Sequence, residues 1–146
     1  MYTDILVPTD GSTASATAVE HAIDLASHYD ATLHVLYVVD VTGYSALEVG
    51  ADVVANALEE EGEDAVGDVI GSAEAMEIDT ESMIQHGTPH RAIIDYATAE
   101  AVDLVVMGTH GRTGVGRFLL GSVTERVVRT SPVPVLTVRG DEAMGE

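Results

Sequence analysis

The sequence predicts a single α/β domain in which a mostly parallel, open and twisted five-stranded sheet carries helices on both faces. Apolar runs at residues 5–7, 32–39 and 104–107 are typical of strands buried on both faces. Segments with helical spacing of apolar residues separate these runs, and such alternation of strands and helices favours a parallel sheet. With 146 residues and 46% hydrophobic content, the chain is long enough for one domain with a sizeable core.

The first part of the chain alternates strand, helix and strand. Tyr2 to Pro8 is predicted as a buried strand that ends at the proline, and Thr32 to Val39 as a second central strand. Between them, a turn at residues 9–12 offers several N-caps for a helix. The residues of this helix expected to face inward are Ala16, Val19, Ile23 and either Leu25 or Ala26.

A long acidic helix is predicted from about Leu47 to Met76, after a loop around Gly43 and with an interruption expected near Gly62 or Gly67. Its acidic residues should face water. Its predicted apolar face consists of Val49, Val53, Ala57, Leu58, Val66, Val69, Ile70 and Ala73.

The remaining elements complete five strands and four helices. Ile78 to His86 is a weaker strand, which suits a position near the sheet edge. Pro89 opens a helix with Ala92, Ile93, Tyr96 and Ala97 turned inward. The fourth strand (Leu104 to Met107), the last helix (Ser122 to Thr130), a stop at Pro132 and the fifth strand (Val133 to Val138) follow.

The overall charge excludes several kinds of partner. The chain has 25 acidic residues, no lysine and a net charge of −19, so nucleic acid and anionic membranes would be repelled. Such an acid-rich, lysine-free surface predicts a salt-adapted cytoplasm, as in a halophilic archaeon, where screening makes the self-repulsion bearable. The absence of cysteine excludes disulfides, thiolate metal sites and cysteine nucleophiles. Without a long apolar run or a basic N-terminal segment, we expect no membrane span or signal peptide and a cytoplasmic location.

One stretch has the opposite charge. Residues 104–139 contain five of the six arginines and one acid, Glu125, whereas residues 1–103 contain Arg91 and 21 acids. A positive segment in so acidic a chain predicts an anionic ligand. The same segment carries Gly108, Gly111 and Gly121, and glycines before a helix let backbone N–H groups approach a phosphate.

Two common phosphate motifs are excluded. A Walker A motif requires a lysine, and a dinucleotide-binding G-x-G-x-x-G should follow the first strand, where only Gly11 is present. The pattern present is Gly108-x-x-Gly111, nine residues, then Gly121-Ser122. Together with VPTDGS after the first strand, the Gly87-x-Pro89 turn and DLVVMGTHG, this pattern resembles the ATP-binding branch of the universal stress protein (UspA-like) family over essentially the whole chain.

The resemblance implies a Rossmann-like fold, similar to the adenine nucleotide alpha hydrolases, with strand order 3-2-1-4-5 in a domain of residues 1–140, followed by an acidic tail at 141–146. It also implies bound ATP, with Mg²⁺ or Mn²⁺ held through the phosphates rather than by protein ligands, and a homodimer joined along Val133–Val138. The adenosine would contact Pro8, Thr9, Asp10, Val38, Met107 and Gly108. The phosphates would contact His110, Gly111, Arg112, Thr113, Gly114, Gly121, Ser122, Val123 and Thr124.

Several of these residues have a structural alternative. Ser122 and Glu125 fit a capping box, and Asp10 could be the N-cap of the first helix. Arg112 and Arg117 could pair with surface acids, although Arg112 lies inside the glycine loop and is the better candidate for a phosphate contact. His110 could orient the loop, contact phosphate or simply pack.

The predicted function is a nucleotide-binding regulatory dimer of the stress response. Efficient phosphoryl transfer needs a cation clamp, metal ligands and a group that orients the nucleophile, whereas this site offers mostly backbone amides and Asp10. We therefore predict a binding protein with at most slow ATP hydrolysis and no catalytic residue. The alternatives are a slow ATP-hydrolysing enzyme and a dimerisation module of the same fold that binds no nucleotide; the regulated partner is not predicted.

Overall fold

Five parallel strands in the order β3-β2-β1-β4-β5 form the sheet of the computed structural model, which describes residues 1–41, 50–110 and 120–140. The predicted fold class and strand order are confirmed. The elements, in chain order, are β1 (Asp4–Pro8), α1 (Thr13–Tyr29), β2 (Thr32–Val39), α2 (Ala51–Ala75), β3 (Thr80–His86), α3 (Pro89–Ala99), β4 (Leu104–Gly108), α4 (Ser122–Thr130) and β5 (Val135–Val138).

Two apolar cores lie on opposite faces of the sheet. Side chains of a strand alternate between faces, so Ile5 and Val7 of β1 pack with α1 and α2, whereas Leu6 packs with α3 and α4. The prediction for α3 is confirmed, because Ala92, Ile93, Tyr96 and Ala97 are all buried. The expected position of β3 at an edge of the sheet is also confirmed.

The inward face of α1 was predicted correctly at Ala26 but wrongly by about one position elsewhere, and the predicted Ala16 is exposed. Its fully buried stripe is Ser15, Ala18, Ala22 and Ala26, while Val19, Ile23 and Leu25 flank it and are only partly buried. Small residues on this stripe bring the helix axis close to the strands, and the larger side chains then fill the grooves on either side. A prediction from hydrophobicity alone ranks valine and isoleucine above alanine, so it assigns the flanking residues to the buried face.

The long helix α2 has no interruption at Gly62 or Gly67 and begins at Ala51, after Gly50. Its predicted apolar face is correct for Val66, Val69 and Ala73, but Val53 is 64% exposed and Ala57 is also exposed. The first turns of a helix that follows β2 start at the carboxyl edge of the sheet, so they have less sheet to pack against. No helix in the three described ranges is both long and apolar enough to cross a bilayer.

Strand ends differ from the prediction by about two residues. β1 begins at Asp4 instead of Tyr2, β3 at Thr80 instead of Ile78, and β5 at Val135 instead of Val133. Strand ends are assigned from the hydrogen bonds between strands, and apolar residues next to a strand need not take part in those bonds. At β5, Val105 N donates to Pro134 O (3.0 Å), so pairing starts next to a residue that has no N–H to donate.

Candidate functional site

A cleft of about 690 Å³ opens at the carboxyl edge of the sheet, where β1 and β4 lie side by side and the strand order reverses. Ligands of open α/β sheets bind at this position. Eleven of the fifteen predicted site residues line the cleft: Pro8, Thr9, Asp10, Val38, Met107, Gly108, His110, Gly121, Ser122, Val123 and Thr124. The other four, Gly111, Arg112, Thr113 and Gly114, lie outside the described residues, as do Arg117 and the tail at 141–146.

A short hydrogen-bonded turn joins β1 to α1 and forms one wall of the cleft. Asp10 Oδ1 accepts from Ser12 N (2.9 Å), and Thr9 Oγ1 accepts from Gly11 N (3.1 Å). Gly11 has φ +78°, a conformation that side chains rarely adopt. Ser12, not Asp10, is the N-cap of α1, since its side chain accepts from Ser15 N (3.2 Å). The N-cap alternative for Asp10 is therefore wrong, and its carboxylate belongs to the turn at the cleft.

The end of β2 presents backbone groups to the cleft. The backbone groups of successive β2 residues point alternately toward β1 and toward β3. Leu36 O accepts from Thr9 N on the β1 side (2.9 Å), whereas Val39 O accepts from Gly87 N on the β3 side (3.0 Å). Val38 faces the β1 side, as Leu36 does, but β1 has already ended at Pro8. The N–H and C=O of Val38 therefore point across the gap as a donor and acceptor pair with no strand beside them.

The N-terminus of α4 forms the opposite wall. Its N-cap is Gly121 and no side chain caps the helix, so the capping-box alternative for Ser122 and Glu125 is wrong. Glu125 instead pairs with Arg129, and this hydrogen bond lowers the pKa of its carboxyl. The first-turn amides of Ser122, Val123 and Thr124 thus have neither an intrahelical partner nor a side-chain cap, and they carry the positive end of the helix dipole.

Gly108, at the end of β4, and His110, two residues later, also line the cleft. A Cβ on Gly108 would be 3.0 Å from Ala14 O and 3.1 Å from His110 O, so a side chain there would press on backbone atoms. His110 Nδ1 lies 3.1 Å from Thr109 Oγ1. Its Nε2 is a buried polar atom without a hydrogen-bond partner, and among the described side chains it is the one such atom. Buried polar atoms usually have a hydrogen-bond partner, so the Nε2 atom of His110 is available to a group bound in the cleft.

Nine further lining residues were not predicted: Ser15, Leu36, Tyr37, Asp40, Leu58, Pro89, Ile93, Leu120 and Glu125. Three of them, Leu36, Tyr37 and Ile93, are buried core residues. No motif marks them, so their place in the cleft depends on the packing of α1, α2 and α3 against the sheet. The signal that could have found Asp40 is its position directly after β2, much as Asp10 follows the end of β1 by two residues.

A second polar cluster lies away from the cleft. His34 is 2% exposed, its Nδ1 lies 2.8 Å from Tyr96 Oη and its Nε2 2.9 Å from Asp4 Oδ1. Burial, followed by the nearby carboxylates, raises the pKa of Tyr96 to about 12. Glu81 and Glu100 come close enough to His34 to suggest a metal site. Both imidazole nitrogens already have partners, however, so the cluster is explained as a satisfied buried network.

Comparison with known proteins agrees with this fold. A profile described as "Universal stress protein family" matches residues 1–139. A universal stress protein of Methanocaldococcus jannaschii is 40% identical over 141 residues, covering 95% of this chain and 83% of the relative. The structure of the universal stress protein UspA from Lactobacillus plantarum has a TM-score of 0.87 and 32% identity, covering 94% of this chain and 98% of the other.

A third similar protein has a ligand. It is a universal stress protein whose crystal structure was determined in complex with cAMP, with a TM-score of 0.63 and 27% identity over 94% of this chain and 97% of that one. The family profile spans nearly all of the sequence, the curated relatives agree with it, and the sheet has the same architecture. The chain is therefore a member of the universal stress protein family.

Proposed function

We propose that this protein binds ATP in the cleft and acts as a nucleotide-dependent regulatory dimer in the stress response. One observation supports this more than any other. The cleft offers an unpaired backbone donor and acceptor at Val38 on one wall and an uncapped helix N-terminus at Ser122 on the other. A ligand that has a hydrogen-bonding heterocycle at one end and an anion at the other matches both walls.

The side of the cleft formed by Val38 and the turn after β1 suits the base and sugar of the nucleotide. The Watson–Crick edge of adenine has a donor and an acceptor side by side, which the C=O and N–H of Val38 can pair with. Apolar atoms of Met107, Ile93 and Leu36 line the same cleft and can contact the faces of the ring. The carboxylate of Asp10, held in its turn by Ser12 N, is a candidate acceptor for ribose hydroxyls.

The α4 wall suits the phosphates. Free amides at a helix N-terminus bind phosphate without any basic side chain, and the unpartnered Nε2 of His110 adds a further group that can meet an anion. A Mg²⁺ or Mn²⁺ ion would neutralise phosphate charge near the carboxylates of Asp10 and Asp40, which both line the cleft. Mg²⁺ commonly keeps most of its ligands from phosphate and water, so no dedicated protein cage is required.

The described part of the cleft favours binding over catalysis. Within residues 1–41, 50–110 and 120–140, no lysine or arginine lines it, whereas phosphoryl transfer relies on such a clamp. We therefore propose a binding protein with at most slow hydrolysis. Multiple-turnover phosphate release that Asp10→Asn abolishes would instead support the enzymatic alternative.

The test removes one backbone N–H group, that of Ser122, without changing the helix. Ser122 is the first residue of α4, where proline is tolerated, and Gly121 has φ −64° and ψ 160°, which suits a residue before proline. Ser122→Pro should keep the fold and weaken ATP binding about tenfold, the effect of one hydrogen bond to a charged group. Equilibrium binding in concentrated KCl with Mg²⁺ measures this.

Ser122→Ala is the matched control, because it removes the hydroxyl and keeps the amide. It should bind ATP within about twofold of the wild type. The absence of saturable ATP binding by the wild-type protein, or equal affinity of Ser122→Pro and wild type, would contradict the proposal. Loss of affinity in Ser122→Ala alone would mean that the hydroxyl, not the amide, holds the phosphate.

The relative solved with cAMP favours a second ligand for the same cleft. A cyclic monophosphate would place its single phosphate nearer the ribose and engage fewer amides of α4. Competition between ATP and cAMP for one labelled adenine nucleotide distinguishes the two ligands. ATP binding that is tighter and more sensitive to Ser122→Pro would support ATP as the ligand.

A further inference from the structure

Two hydrogen bonds join the chain just before residues 110–120 to the chain just after them. Thr124 Oγ1 donates to Gly108 O (2.8 Å), and Gly121 N donates to Thr109 O (2.8 Å). We refer to the pair as the neck. It ties the first turn of α4 directly to the end of β4, although 16 residues separate Thr124 from Gly108.

The side chain of Thr124 is committed to the neck. The residue is 3% exposed, and its hydroxyl has one hydrogen atom, which the bond to Gly108 O uses. Any contact of Thr124 with an anion in the cleft would thus be made by its amide. Because the hydroxyl of Thr124 donates to the protein itself, this side chain can affect a ligand only through the groups that it holds in place.

We propose that Thr124 is a positioning residue, whose hydroxyl aims the amides of Ser122 and Val123 into the cleft. The inference rests on the proposed function, since it concerns how the same site holds phosphate. Gly108 is the last residue of β4, and a Cβ there would be 3.0 Å from Ala14 O and 3.1 Å from His110 O, so its backbone is closely packed and serves as the anchor. Thr109 N also donates to Val138 O (3.0 Å), so the anchor extends to β5.

The neck also has an energetic role before any ligand binds. Closing a loop costs conformational entropy, and ordering backbone amides around an anion adds a further entropic cost. With the two ends of the segment already joined, the first turn of α4 needs no reorientation when phosphate arrives. Without the Thr124 hydroxyl, the Gly108 carbonyl would lose its partner and α4 would keep one neck bond.

The first measurement needs no nucleotide. Amide hydrogen exchange of the free protein reports the neck through Gly121 N–H, which bonds to Thr109 O, and Glu125 N–H, which bonds to Gly121 O (2.9 Å). In Thr124→Val, protection at these two amides should fall about tenfold, the effect of one lost buried hydrogen bond. Thr124→Ser keeps the hydroxyl and should restore it.

Thr130→Val is the matched control on the same helix, because Thr130 Oγ1 also donates to a backbone carbonyl, Arg126 O (2.7 Å), but at the exposed end. It should leave both amides protected. A uniform fall in protection across the sheet of Thr124→Val, or no fall at Gly121 and Glu125, would overturn the inference. If Thr124→Val does not fold, a Thr124→Ser protein that loses protection at these amides would overturn it equally.

The second measurement separates the inference from the proposed function. Thr124→Val should bind ATP about tenfold more weakly but bind adenosine, followed by NMR titration, as the wild type does. Equal loss for adenosine and ATP would show general damage and overturn the positioning role. A wild-type protein that binds neither would contradict the proposed function, while the exchange data would still decide whether Thr124 holds the neck.

Discussion

Asp103 holds the N-terminal end of the chain against the sheet. Its Oδ2 accepts from Thr3 N (2.7 Å), Thr3 Oγ1 (2.8 Å) and Asp4 N (2.9 Å). The backbone bond from Thr3, followed by that from its hydroxyl, lowers the pKa of the Asp103 carboxyl below its ordinary value. One carboxylate oxygen thereby closes a contact between residues 99 and 100 positions apart in the sequence.

This geometry predicts a pH dependence of stability. Because folding lowers the pKa, the ionised carboxylate stabilises the fold at pH values above the unfolded pKa, about 3.9, and this contribution is lost as the pH falls through the lower folded value. Asp103→Asn should be less stable than wild type at pH 7, with the gap closing below about pH 4. Denaturant unfolding across a pH series at fixed KCl measures it.

The control for Asp103 is Asp68→Asn, which changes an exposed carboxyl of α2 and the net charge by the same amount. Its stability should run parallel to that of wild type over the whole pH series. If Asp103→Asn also runs parallel, the three bonds to Oδ2 do not stabilise the ionised form.

Helix caps show where single residues could not be assigned from sequence. Both Asp10 and Ser12 are good N-caps, and Ser122 with Glu125 matches a capping box. The structure selects Ser12 for α1 and leaves Gly121 as the uncapped start of α4. Capping motifs describe local compatibility, whereas the choice here depends on where β1 and β4 end in three dimensions.

At the scale of elements, prediction was most accurate where one pattern had no competitor. β2 and α4 have the predicted boundaries, since each is bounded by strong turn residues or by proline. The buried stripe of α1 and the first turns of α2 were misassigned, because burial there depends on how far a helix extends along the sheet. The unpaired backbone of Val38 follows from the relative lengths of β1 and β2, which only the paired sheet reveals.

Glycines of α2 test how tightly this helix packs at the cleft. A Cβ on Gly62 would lie 2.6 Å from the ring of Tyr37, which is 3% exposed and lines the cleft, whereas Gly67 and Gly71 have no atom within 4 Å of a Cβ. Gly67→Ala and Gly71→Ala should therefore each raise the free energy of unfolding by roughly 0.5–1 kcal/mol through helix propensity. Gly62→Ala should lower it, because overpacking costs about 1–3 kcal/mol.

Chemical denaturation of the three variants measures these changes, and ATP titration adds a second readout. We expect Gly62→Ala alone to weaken nucleotide binding, since Tyr37 must shift toward the cleft or away from it. A Gly62→Ala protein as stable as Gly67→Ala would show that the packing of Tyr37 against α2 does not limit the size of residue 62.

At the scale of the whole molecule, charge and edge strands bear on the proposed self-association. β3 and β5 are the two edges of the sheet. Leu136 of β5 is 39% exposed, and Val128 of α4 is 45% exposed. An exposed apolar edge strand is a template for pairing with another chain. This supports the proposal that two copies join along β5, with Leu136 buried between them.

Two copies of a chain with net charge −19 repel each other, and salt shortens the range of that repulsion from about 10 Å at 0.1 M to about 3 Å at 1 M. We therefore predict that the dimer dissociation constant falls as KCl is raised, and that Leu136→Asp is monomeric at micromolar concentration throughout. Met83→Asp, on the other edge at β3, is the matched control because Met83 is 44% exposed and the added charge is the same. Sedimentation equilibrium should find this control as dimeric as wild type. A monomeric wild type at molar KCl would contradict the proposed dimer, and a dimer that Met83→Asp disrupts and Leu136→Asp does not would place the interface at β3 instead of β5.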